Sequence, residues 1–80
     1  MPVILREKGY EFFFVMFDLD EPIHVHVRHE RKQAKYWIDP ISLAWTRGFR
    51  PHELNEIERI IGDNHAYIRR VWQRERAKRQ

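Results

Sequence analysis

Hydrophobic side chains in this chain recur at one period before Asp39-Pro40 and at another after it. Upstream, branched and aromatic residues form short runs between turn residues, the pattern of strands whose side chains alternate faces. Downstream, Leu54, Ile57, Ile61, Ile68 and Trp72 recur at helical spacings, with Ile60 and Val71 widening the stripe. That is the apolar face of a helix packed on a core. Strands first and helices after give an α+β fold with the helices on one sheet face.

The expected first half is a four-stranded antiparallel meander over about residues 2–38. Pro2–Arg6 reads as a strand that starts at a proline, where a missing N–H costs least. Glu7-Lys8-Gly9 turns the chain into Tyr10–Phe17, an almost wholly aromatic and branched run. Asp18–Pro22 is an acidic loop, Ile23–His29 a third strand and Gln33–Ile38 a fourth. In the second half, Ser42–Arg47 reads as a short helix with Gly48 as its C-cap. Pro51 suits the first turn of a long amphipathic helix ending near Lys78, with Gly62-Asp63 as its place to kink or split. Unbroken, that helix would be about 40 Å long and would overhang the sheet, inviting cover by a partner subunit.

With 80 residues and no cysteine, the chain is one small domain without disulfides or thiolate metal sites. A domain of this size buries roughly 60% of its unfolded surface, so its five Phe, three Tyr and three Trp must supply the core. No apolar run approaches the ~20 residues of a membrane span, and no signal-peptide pattern opens the chain. The expectation is a cytoplasmic protein away from membranes. The net charge of +3 is unevenly spread. Arg69, Arg70, Arg74, Arg76, Lys78 and Arg79 face only Glu75 across residues 67–80, leaving the rest of the chain acidic. These six side chains are candidates for binding a nucleic-acid backbone. The same charges would also complement a helix C-terminus.

The chemistry centres on Pro22-Ile23-His24-Val25-His26-Val27. On a strand, His24 and His26 share one face, with Ile23, Val25 and Val27 on the other. Cleavage of RNA through its own 2′-hydroxyl needs a base, an acid and a cation for the phosphate, and no metal or other cofactor. His24 and His26 are candidates for acid and base, since unperturbed imidazole titrates near pH 6.5. Lys35 is the candidate cation, and Asp20 a carboxylate to orient an imidazole. A weaker alternative is a metal held by His24, His26 and Asp20, or Asp18. His29, His52 and His65 read as surface or helix-boundary residues. A binding module without catalysis would use the C-terminal cations, with Trp37, Tyr36 and Trp45 stacking on bases. An interaction protein would cover the Phe-rich strand and the overlong helix with a second copy or a cognate partner.

Several motifs together resemble a known family. They are Gly9-Tyr10-x-Phe12-Phe13-Phe14, Pro22-x-His24-Val25-His26-Val27, Ala34-Lys35-Tyr36-Trp37, Asp39-Pro40-x-x-Leu43-Ala44 and Arg47-Gly48-Phe49. With Glu53-Leu54, Ile57-Glu58-x-Ile60-Ile61, Asn64 and Trp72, they resemble the small bacterial domain-of-unknown-function family numbered 4160. The resemblance implies a component of a toxin–antitoxin-type module, encoded beside a second small protein. Relatives commonly carry a further His where this chain has Asp20, and a second Pro where it has Ile23. The tail beyond Trp72 lies outside the resemblance. The expected function is therefore action on RNA, or binding of it, within such a module. The alternative is a non-enzymatic DNA-binding, transcription-regulating or protein-interaction module.

Overall fold

The computed structural model describes residues 3–15, 17 and 19–78. Pro2, Asp18 and Arg79, each named above, lie outside the described residues. Within them the order is β1 (Val3–Glu7), β2 (Tyr10–Phe13), β3 (His24–His29), β4 (Lys32–Ile38), β5 (Ile41–Arg47), α1 (Pro51–Asp63) and α2 (His65–Ala77). All neighbouring strands pair antiparallel in the order β1-β2-β3-β4-β5. The α+β class and the meander stand. Three expectations of detail do not.

The first is the strand count: Ser42–Arg47, expected as a short helix, belongs to β5, a fifth strand. Asp39-Pro40, read as the boundary between strands and helices, is a two-residue hairpin connection that returns the chain along β4. Pairing there satisfies β4 backbone groups that a helix would leave open. A bulge hid the strand from the sequence. Lys35 pairs with Trp45 and Tyr36 with Leu43, so Ala44 is an extra residue that breaks the period of two.

The second is the long helix. It breaks at Asn64, whose backbone φ of −117° is off-helical and whose side-chain Nδ2 donates to the Ile60 carbonyl at 2.8 Å. The Asn64 carbonyl then accepts from Ile68 N–H at 2.9 Å, starting α2. Gly62 stays within α1. Two 13-residue helices replace the single overhanging one. The third is the second strand, which ends at Phe13 rather than Phe17. Phe14 turns inward to meet Trp72 edge-on at 5.1 Å.

The core lies between one sheet face and the helices. Tyr10, Phe12, Val25, Val27, Ala34, Tyr36 and Ile38 of the sheet are buried with Ile57, Ile60, Ile61, Ile68, Val71 and Trp72 of the helices. The Tyr36 hydroxyl donates to Glu58 at 2.9 Å, and burial followed by that carboxylate pushes its pKa above the ordinary value. α1 begins at Pro51, with the Arg50 N–H donating to Glu53 Oε1 at 2.9 Å. α2 lies across the end of the sheet where β3 begins and β4 ends. His65 Nε2 donates to Asp39 at 2.8 Å, Arg69 sits 3.4 Å from the same carboxylate, and Trp72 packs on Phe14 and His24. No helix among the described residues is long and apolar enough to cross a membrane.

Candidate functional site

The sheet face away from the core carries the residues singled out in the sequence. Antiparallel register puts Phe13, His26, Lys35 and Trp45 in one row across β2, β3, β4 and β5. Beside it, His24 pairs with Trp37. On the other side Arg6, Glu11, Arg28, Gln33 and Arg47 form a second row. One row is mostly aromatic and the next mostly basic. Strand alternation produces this, since core residues at every second position leave the intervening ones to the opposite face.

His24 and His26 do share that face, their rings edge-on at 5.2 Å. Their access differs sharply. His24 is fully buried, enclosed by the rings of His26, Trp37 and Trp72, and its Nδ1 donates to the Pro22 carbonyl at 2.9 Å. His26 is half-buried and stacked on Phe13 at 5.5 Å, with Trp45 at 6.3 Å. Solvent reaches His26 but not His24.

Lys35 neighbours His26 across the strands, as its predicted role requires. Its Nζ lies over the Trp37 ring at 4.6 Å and donates to Glu21 Oε1 at 2.8 Å. The same Glu21 oxygen is 3.9 Å from His24 Nδ1. Glu21 was not singled out in the sequence, and it stands where Asp20 was expected. Asp20 is exposed, and among the described residues it has no hydrogen bond or ion pair to an imidazole. A proline at 22 was the available signal, since it biases the backbone of Glu21 towards an extended conformation. Among the described residues no group of three His, Cys, Asp or Glu side chains could hold a metal ion.

In the second row, Glu11 accepts from Arg28 at 2.9 Å and from Arg6 at 3.1 Å, and these two guanidiniums hold its carboxyl below the ordinary value. Arg28 also covers the Phe13 ring at 4.9 Å. Of the proposed stacking residues, Trp37 and Trp45 lie on this face and Tyr36 is in the core. Arg69, Arg70, Arg74, Arg76 and Lys78 are exposed on or just after α2. Arg79 lies outside the described residues. His29 ties two turns together, its Nδ1 donating to the Gly9 carbonyl at 2.8 Å.

These features define a class: a small α+β meander domain with helices on one sheet face and an aromatic, basic surface on the other. Residues 9–73 match the family described as Domain of unknown function (DUF4160), and the chain belongs to it. Comparison with curated proteins and with solved structures gives no match.

Proposed function

We propose that this protein is the RNA-directed component of a toxin–antitoxin-type module, and that single-stranded RNA lies across the sheet face away from the helices. The row Phe13–His26–Lys35–Trp45 is the observation that carries this reading. Trp45, exposed on the edge strand, offers a ring face to an unpaired base, and stacking is worth about 1–3 kcal/mol per base. Lys35 and the neighbouring row of Arg6, Arg28 and Arg47 supply cations for the backbone. Four strands at about 4.8 Å span roughly 14 Å, the reach of about four stacked nucleotides. Bases of a duplex already stack on one another, so an aromatic sheet face favours single strands.

The adjacency of His26 and Lys35 favours cleavage as a second activity of the same face. His26 would take the 2′-hydroxyl proton as the 2′-oxygen attacks phosphorus. The bond to the 5′-oxygen would break, with the Lys35 ammonium donating to it and leaving a 2′,3′-cyclic phosphate. His24, buried against His26, would position that ring rather than touch substrate.

Fluorescence anisotropy with randomised single-stranded RNA tests the reading. Trp45→Ala, at an exposed position on an edge strand, should weaken binding by about 5- to 150-fold, the equivalent of one stack. His26→Gln should release no cyclic phosphate. Unchanged affinity in Trp45→Ala, or a preference for duplex DNA, would overturn the proposal in favour of a DNA-binding or protein-interaction role.

A further inference from the structure

We infer that the groove between α2 and the Glu21–Ile23 segment is a second RNA-backbone subsite, receiving nucleotides that run off the sheet face. This rests on the RNA reading above and extends it. The groove holds about 230 Å³. Pro22, Ile23 and Trp72 give it an apolar lining, and Arg69, Gln73 and Arg76 form its helical wall. Those three recur at i, i+4 and i+7, one stripe about 10 Å long, which matches roughly three stacked nucleotides.

Two acidic groups also line the groove, and both are engaged. Glu21 accepts from Lys35, and Asp39 accepts from His65 and lies by Arg69. Arg76 makes no ion pair among the described residues, and Gln73 adds an amide donor. With Glu21 paired to Lys35 and Asp39 to Arg69, Arg76 is the available charge of the groove. The groove and the sheet face share a wall, because the Glu21 that lines one holds the Lys35 of the other. A strand leaving the Lys35 row over Glu21 enters the groove directly. Arg70 and Arg74 are equally exposed on α2 but do not line the groove, which makes them an internal control.

The test compares Arg69→Gln/Arg76→Gln with Arg70→Gln/Arg74→Gln, two variants of equal charge, on randomised RNA tetramers and decamers. Circular dichroism confirms that both fold. The groove pair should lose decamer affinity about tenfold while holding tetramer affinity within about twofold. Its slope of log affinity against log salt for the decamer should shrink by about 0.7, the one single-strand phosphate contact of Arg76. The control pair should change neither length markedly. Equal losses in the two variants, or equal losses for tetramer and decamer, would overturn the groove while leaving the sheet-face reading intact. A wild type that binds neither length would overturn both.

Discussion

Gly48 has a backbone φ of +92°, and a Cβ there would come within 2.9 Å of Lys32 Cγ. Lys32 cannot yield cheaply, since its Nζ donates to Glu53 at 2.7 Å and lies over the Phe49 ring. Gly48→Ala should therefore cost about 1–3 kcal/mol of stability in urea denaturation; wild-type stability would show that this turn relaxes. A glycine at 48 was read as a helix C-cap, and the need for an unusual backbone was right although the element was wrong. Left-handed residues end helices and leave strands alike, so the residue alone could not say which. The imidazoles illustrate the same limit. Strand alternation put His24 and His26 on one face, but only the arrival of Trp72 made one of them inaccessible.

At the scale of elements, the helix break distinguishes two residues two positions apart, Gly62 and Asn64. Gly62 is exposed inside α1, and a Cβ there would meet Ile41 Cδ1 at an ordinary 4.0 Å. Gly62→Ala should stabilise the protein by about 0.5–1 kcal/mol, because the helix gains a better former without a clash. Destabilisation measured by the same denaturation would move the break to Gly62. The helical stripe from Leu54 to Trp72 was legible because both helices keep their apolar side on the same core. The break between them was not, because Asn64 acts through a side-chain bond to Ile60 that spacing does not reveal. β5 was illegible for a related reason, its alternation interrupted at Ala44 by the bulge.

For the molecule as a whole, ion pairs join elements distant in sequence. Lys32 of β4 holds the Glu53 carboxyl of α1 below its ordinary value, helped by the Arg50 N–H, and Arg6 and Arg28 do the same for Glu11. A carboxyl depressed in the folded state stabilises above its unfolded value, and that stability is lost as pH falls through the folded one. The protein should lose stability below about pH 4.5, the ordinary value of these groups. Glu53→Gln should lower the urea midpoint at pH 7 and flatten its fall towards pH 3. An equal deficit at both pH values would mean that the Glu53 charge is immaterial. The sequence by itself determined the α+β class, the antiparallel meander, the sharing of a face by His24 and His26, and the helical core stripe. Each follows from period and turn chemistry within a few residues. The tertiary structure alone decided the fifth strand, the break at Asn64, the burial of His24, the place of Glu21 beside Lys35, and the wall shared by groove and sheet face. Those depend on which elements meet, and contacts between residues far apart in the chain leave no local pattern to read.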